Sequence, residues 1–479
     1  MRPVLLIDFG STYTKVTAAD LEKERILGTA SSFTTQENDI GEGLERALSK
    51  LHEKTGVLHY EARLACSSAA GGLRMAVSGL VPELTAEAAR LAALGAGAKL
   101  ASVYSYELTR GDLLEIENNP PDIFLLTGGT DGGNRDCVTE NAKQLAKLKA
   151  RFPILFAGNR SAAEDIEAIL SDFPLTLCPN VMPRFGELNI APVQREIRNL
   201  FLSNIVHGKG LSKTKELLSG ILMPTPSAIL SAMRLLSKGC GECEGIGDLL
   251  GIDVGGATTD IYSIGQGEPD DINIIYKGFE EPEAKRSVEG DLGVRLNVWG
   301  IIEETGIENI AQSAQMSVEA LKALIVSIES DKKILPEAAD DALSTLDRAL
   351  AMAAIDIATR RHAGTLEEVY TPMGMAYIQT GKNLRKFQNI VMTGGSLIHA
   401  NDTMALAKRA LYSAEHPASL RCFEIFLNSS PAIRGCLFRY TIHTGRDGGP
   451  SRKGTSCCAS HYEKGTYHIR SLSTTGRDK

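Results

Sequence analysis

The sequence predicts an α/β protein with two duplicated halves, each built on a mixed sheet, and an α/β elaboration within the first half. Three observations carry that prediction. An apolar strand running into Asp-x-Gly and hydroxyl residues occurs twice, at Asp8 and at Asp253, 245 residues apart. A second apolar strand, ending in Thr-Gly-Gly and a hydroxyl residue, follows each of these, with Thr127 119 residues after Asp8 and Thr393 140 residues after Asp253. Between the anchors, short apolar runs alternate with segments of helical spacing, as in sheets joined by helical crossovers. Two unrelated motifs repeated in one order mark a duplication.

In chain order, Val4 to Ile7 is a buried-type strand, Asp8 to Lys15 a polar hairpin and Val16 to Ala18 the returning strand. Helical spacing marks Gly41 to Lys54, Ala86 to Ala96, Asn134 to Ala150 and Ser161 to Leu170, while Pro153 to Phe156 and Leu175 to Leu177 read as short buried strands. Residues 120 to 180 are therefore α/β. The Gly- and Cys-rich stretch Lys238 to Gly247 reads as a surface connection. Leu249 to Ile252, Asp253 to Asp260 and Ile261 to Ser263 then repeat the opening strand, hairpin and strand. A long Ala-rich helix opens at Pro336 and ends at Arg360, Arg361, His362 and Gly364. The expected division is a first lobe over 1–205, a connecting segment over 206–247, a second lobe over 248–420 and an atypical tail over 421–479.

Composition narrows the class. The 479 residues are 43% hydrophobic and 23% charged, an ordinary globular mixture of two to four domains. No apolar run approaches a spanning length, and the first ten residues meet Asp8 too early for a secretory leader. A cytoplasmic protein with mostly reduced cysteines is the expectation, with neither a membrane nor a nucleic acid as partner. The net charge of −8 is an average of unlike parts: residues 1–420 carry 41 basic and 55 acidic side chains, residues 421–479 carry 10 and 4. That tail also holds four of the nine Cys and lacks helical periodicity. It reads as foreign, a divergent or frame-shifted end, and is expected to be poorly ordered.

The hairpins carry the chemistry. Gly and hydroxyl residues in a tight turn aim backbone N–H groups and Ser or Thr hydroxyls at phosphate oxygens, and a strand-end Asp can hold the water shell of a metal ion. Asp8 and Asp253 are then Mg²⁺-shell carboxylates. Gly10, Ser11 and Thr12 form the first cradle with Lys15 as charge partner, and Gly255, Gly256, Thr258 and Thr259 form the second. Thr393-Gly394-Gly395-Ser396 suits a turn over which an adenine or ribose approaches the backbone. Each motif alone is equally a plain β-turn; the set points to ATP with Mg²⁺.

These residues resemble the actin, Hsp70 and sugar-kinase superfamily of ATPases: Asp8 to Lys15 its first phosphate motif, Asp253 to Asp260 its second, Met392 to Ser396 its adenosine motif. Val288 to Arg295, with Asp291, looks like the acidic segment leading a nucleotide-contacting helix in the Hsp70-like branch. The resemblance covers the chain to about residue 420 and implies two lobes with ATP and Mg²⁺ in a cleft. Taken with Leu126 to Asn134 and Met223-Pro224-Thr225-Pro226, the motifs look like the MutL accessory family linked to glutamate mutase, which is distinct from the mismatch-repair protein of that name. That resemblance implies an ATP-driven reactivating or chaperone role toward an adenosylcobalamin-dependent mutase or aminomutase as protein partner, with a homodimer left open.

Asp131, four residues after Thr127 on a Gly-rich loop, is a candidate for placing the attacking water, or else a turn Asp. Cys240 and Cys243 have metal or redox spacing, but no second pair completes a four-ligand site. Arg135, Arg160 and Arg184 punctuate loops and read as a phosphate or partner contact, or as solvated surface. The alternatives to a reactivase are a small-molecule kinase, with Asp131 or Asp136 as base, an ATP-dependent iron-sulfur activator of a dehydratase, and an ATP-regulated filament protein.

Overall fold

The computed structural model describes residues 1–10, 13–34, 40–68, 73–208, 222–240, 243–330, 342–372, 374–398, 402–413, 415–422, 424–428 and 466–470. The chain divides into two compact units, the first running from Met1 to Ile229 and the second opening at Leu230.

The first unit opens with an antiparallel meander, β1 (Pro3–Phe9), β2 (Tyr13–Asp20) and β3 (Arg25–Phe33), and β4 (Ala62–Ser67) lies parallel to β1 on its free side. Helix α1 (Ile40–Thr55) packs over the meander and buries Leu44, Ala47 and Leu51, a helical spacing of three and four. A separate, all-parallel sheet follows. Its strands are β5 (Arg74–Gly79), β6 (Lys99–Ser105), β7 (Ile123–Leu126), β8 (Ile154–Phe156) and β9 (Leu175–Leu177), in the order β6-β5-β7-β8-β9. Helices α2 (Glu87–Gly95), α3 (Arg110–Asn118), α4 (Asp136–Ala146) and α5 (Ala163–Ile169) supply the crossovers. All four residues of β7 and all three of β8 are buried, as expected of strands covered on both faces. After α6 (Ile190–Gly208) the chain returns to the first sheet through β10 (Leu222–Pro224), parallel to β4, and enters α7 (Thr225–Lys238).

In the second unit β11 (Gly239–Cys240) and β12 (Cys243–Glu244) form a short hairpin that pairs the positions of Cys240 and Cys243 across its strands. The main sheet contains β13 (Leu249–Val254) and β14 (Thr259–Ile264), and β15 (Ile274–Lys277) belongs to a smaller one. Strand β16 (Ala284–Glu289) completes a second antiparallel meander beside β14. Helices α8 (Val298–Thr305), α9 (Ile307–Ser313), α10 (Val318–Ser330) and α11 (Ala342–His362) cover the sheet. Along α11, Leu343, Leu346, Leu350, Ala354 and Ile357 are buried in a core shared with Leu250, Ile252 and Val254 of β13. The β17 (Thr365–Thr371) and β18 (Gly374–Thr380) hairpin pairs with β15, while β19 (Asn389–Thr393) lies parallel to β13 and leads to α12 (Gly395–Ile398) and α13 (Thr403–Lys408).

The two main sheets share one plan. Each has a three-stranded antiparallel meander with the Asp-bearing strand at its inner end, then a parallel neighbour (β4 or β19) and a second parallel strand beyond it. That outer strand is β10 in the first unit and β20 (Glu424–Asn428) in the second, where β21 (Thr466–Arg470) adds an antiparallel edge. The α/β class and the duplication read from the sequence therefore stand, with one correction. Thr127-Gly128-Gly129 does not correspond to Thr393-Gly394-Gly395: it ends β7 of the parallel sheet, whereas the counterpart of β19 is β4, which runs into Ser67-Ser68. Any buried parallel strand turning into a helix favours the same Gly-rich ending, so the local likeness misassigned the partner.

The elaboration begins at Arg74, earlier than the expected 120, and the unit division falls inside α7. The expected opening of the long helix at Pro336 and most of the 421–479 tail lie outside the described residues; within the tail, 424–428 and 466–470 are strands. Among the described residues no helix is long and apolar enough to cross a membrane.

Candidate functional site

In the first unit the Gly10 N–H donates to Tyr13 O at 3.0 Å and closes the turn between β1 and β2. A Cβ on Gly10 would lie 2.6 Å from that oxygen, so the turn requires glycine there. Ser11 and Thr12, at its tip, lie outside the described residues. Asp8 and Lys15 stand directly opposite in the β1–β2 register, which puts both side chains on one face, Lys15 exposed and Asp8 half-buried. The Asp8 carboxylate accepts from Thr225 Oγ1 at 2.9 Å and from the Cys66 thiol at 3.5 Å. Burial, and then the Asp8 charge, push the Cys66 thiol well above its ordinary range, so it serves as a neutral donor.

The second hairpin closes the same way, with Gly255 N–H donating to Thr258 O at 2.9 Å. The three carbonyls before Thr258 are all taken by one segment. Gly255 O accepts from Val294 N at 3.3 Å, Gly256 O from Arg295 N and Leu296 N at 2.9 and 2.8 Å, and Ala257 O from Asn297 Nδ2 at 2.7 Å. A trans peptide points its N–H opposite its C=O, so the N–H groups of Gly256, Ala257 and Thr258 face away from that segment. They have no acceptor among the described residues. Three adjacent free donors make an anion cradle. The supporting segment approaches closely because of Gly293, where a Cβ would lie 2.4 Å from the Ala257 carbonyl carbon.

Asp253 faces Asp260 across β13–β14, where Lys15 faces Asp8 in the first unit. Like charges so placed repel. Arg286 resolves the conflict: its Nε donates to Asp260 Oδ1 at 2.8 Å, and the two side chains are 2% and 8% exposed. Burial works against the Arg286 charge, but Asp260 outweighs it and the pKa rises. Thr258 Oγ1 donates to Asp260 Oδ2 at 3.2 Å, and buried Thr259 donates to Leu292 O at 2.7 Å, so these two hydroxyls hold the hairpin together.

Strand β19 brings Thr393 beside Asp253, and Gly394, at φ +101°, abuts the Asp strand. Gly395 is exposed, with nothing within 4 Å of where its Cβ would be; the Ser396 side chain lies outside the described residues. Asp291 is exposed, 3.7 Å from Arg361, which also binds Glu289 and Glu304 at 2.6 Å each. Burial raises the Glu289 pKa against the pull of Arg361.

Asp131 stands apart from Asp8, at the carboxyl end of the parallel sheet. Its Oδ1 accepts from Arg160 N at 3.0 Å and Asn180 Nδ2 at 2.9 Å, a tie between three loops. Sequence reasoning missed Thr225, Arg286 and Asn297 as supports; the Met223 to Pro226 and Val288 to Arg295 motifs were the signals for the first and last. Among the described residues no cluster of three His, Cys, Asp or Glu could hold a metal. The strand-end carboxylates Asp8 and Asp253 each fit an ion bound through water.

The MutL protein family matches residues 4–425. Protein MutL of Clostridium tetanomorphum is 43% identical over 425 residues, covering 88% of this chain and 92% of its own. This chain belongs to the MutL protein family. Among solved structures, a diol dehydratase-reactivating factor in nucleotide-free form is similar at 11% identity and TM-score 0.36, covering 93% of this chain and 99% of its own. An activator of 2-hydroxyisocaproyl-CoA dehydratase from Clostridium difficile with bound ADPNP follows at 12% identity and TM-score 0.29, covering 92% and 93%. Likeness at that level adds nothing to the fold read from the strand ladders. The MutL match ends where the charge of the sequence changes sign.

Proposed function

We propose that this MutL family protein binds ATP with Mg²⁺ and hydrolyses it to drive a conformational change in a protein partner, an adenosylcobalamin-dependent mutase such as glutamate mutase or an aminomutase. The observation that carries the nucleotide reading is the second hairpin, where three adjacent N–H groups are turned outward and, among the described residues, left without acceptors beside Asp253. The first hairpin repeats its closing bond and its strand-end Asp. The partner follows from the MutL resemblance. Mg²⁺ would offset phosphate charge; Asp8 at the first hairpin and Asp253 at the second are each suited to orient water on such an ion, and Lys15 would add a fixed positive charge. A partner that binds one nucleotide state better is pushed between conformations by turnover.

The test incubates an inactivated, cobalamin-loaded mutase with this protein, ATP, Mg²⁺ and free adenosylcobalamin. Activity returns only when ATP is present; no recovery under any ATP condition overturns the reactivase reading. Asp8→Ala and Asp253→Ala each abolish Mg-ATP binding or turnover, and normal hydrolysis by both refutes the hairpin assignment.

A further inference from the structure

The proposed function makes no use of the all-parallel sheet of the first unit. Its order β6-β5-β7-β8-β9 is that of a doubly wound sheet, in which the chain reverses direction between β5 and β7. In open parallel sheets ligands sit beside such a reversal, at the carboxyl ends of the strands. The loop leaving β7 is Thr127-Gly128-Gly129-Thr130-Asp131-Gly132-Gly133-Asn134.

As in the second hairpin, successive backbone carbonyls of this loop are occupied. Gly128 O accepts from Asn159 N at 3.0 Å and Gly129 O from Asn180 Nδ2 at 3.1 Å. The N–H groups of Gly129 and Thr130 therefore point away from the loops that follow β8 and β9. Those two, and that of Gly128, have no acceptor among the described residues, although Gly128 and Gly129 are buried. Orphaned buried N–H groups are rare and costly. The loop is fixed in this state: Asn159 Oδ1 accepts from Gly132 N at 3.1 Å, its Nδ2 donates to Gly133 O at 3.0 Å, and Asp131 is tied to Arg160 N and Asn180. Gly129, at φ +69°, admits no side chain, since a Cβ would lie 1.9 Å from Asn134 O. The one carboxylate on the loop, Asp131, has its Oδ1 engaged by two donors.

We infer that the carboxyl end of the parallel sheet is a second anion site, in which the Gly129 and Thr130 N–H groups bind the phosphate of a small molecule. It goes beyond the proposed ATPase reading and is independent of both hairpins.

The experiment uses hydrogen–deuterium exchange on the full chain carrying Asp8→Ala and Asp253→Ala, so that phosphate at the hairpins does not contribute, with inorganic phosphate as the probe. Exchange over residues 127–135 slows with a midpoint of about 1 mM phosphate, the affinity of a small polar fragment. Gly132 supplies the control. At φ +76° and with open space where its Cβ would be, it accepts Asn or Asp, both of which tolerate the left-handed region. Gly132→Asn leaves the midpoint unchanged, and Gly132→Asp raises it about tenfold through charge repulsion. Absence of slowing, slowing that needs the hairpin aspartates intact, or slowing equal in the Asn and Asp variants overturns the inference. Loss of ATP binding by the hairpin variants with phosphate protection retained here separates the two readings.

Discussion

A Cβ placed on Gly394 would lie 2.8 Å from Oδ1 of Asp253 and 2.2 Å from Val254 O. With φ at +101°, Gly394→Ala faces both contact and backbone strain. The variant loses about 2 kcal/mol or more of stability in the second unit, read as a lower urea midpoint, together with weakened nucleotide binding. A wild-type midpoint would show that the close approach is not needed.

Arg286 and Asp260 form a buried pair in which removing one partner strands the other. Arg286→Met costs about 3–5 kcal/mol. Adding Asp260→Leu to that variant recovers more than half, because the uncompensated charge is gone. Equal stability of single and double variants in urea unfolding would deny the coupling.

Lys382 is fully buried beneath the second sheet, donating to Glu283 O and Pro282 O at 2.7 and 2.8 Å. Burial first, and Lys285 next, lower its pKa to about 7. The unfolded chain, titrating near about 10.4, then holds more protons than the folded one between these values, so this group makes stability rise with pH from about 7 toward 10. Below about 7 the slope vanishes and the cost of the buried charge is carried in full. Lys382→Met flattens the rise between about pH 7.5 and 9 by up to about 1.4 kcal/mol per unit; an unchanged slope in denaturation curves argues against it.

Thr225 and Asp131 make opposite predictions. Thr225→Val withdraws a hydroxyl from Asp8 and weakens Mg-ADP binding about tenfold, a loss of about 1.5 kcal/mol, while Thr225→Ser retains it. Asp131→Asn leaves hydrolysis near wild type and lowers stability by about 1–2 kcal/mol, since its carboxylate ties loops. Abolished turnover at wild-type stability would instead make Asp131 the residue that places water.

What the sequence revealed was local. Both hairpins were legible because strand, Gly turn and returning strand are contiguous, with glycine forced by the closing contact at Gly10 and a Cβ crowded at 3.1 Å at Gly255. Thr225 reaches Asp8 across 217 residues and Arg286 reaches Asp260 across 26, contacts with no periodic trace in the chain. The parallel sheet was seen only in part because β5 is buried at five successive positions, so no alternation marks it, while β6 is an edge strand with a single buried residue and no apolar run. The Thr-Gly-Gly strands were paired wrongly because register is decided by neighbours, not by the motif.

The nesting of the two sheets in the first unit has a consequence for biosynthesis. Strands β5 to β9 are consecutive, so the parallel sheet can close as soon as residue 177 has left the ribosome. The sheet bearing Asp8, begun first, lacks its outer strand until Leu222 to Pro224 emerge and dock on β4. Until then the backbone of β4 is an unpaired edge open to non-native pairing. The helix that starts at Thr225 follows at once, so the hydroxyl that holds Asp8 arrives with the strand that seals the sheet, and the first hairpin gains that contact only as its own sheet is finished.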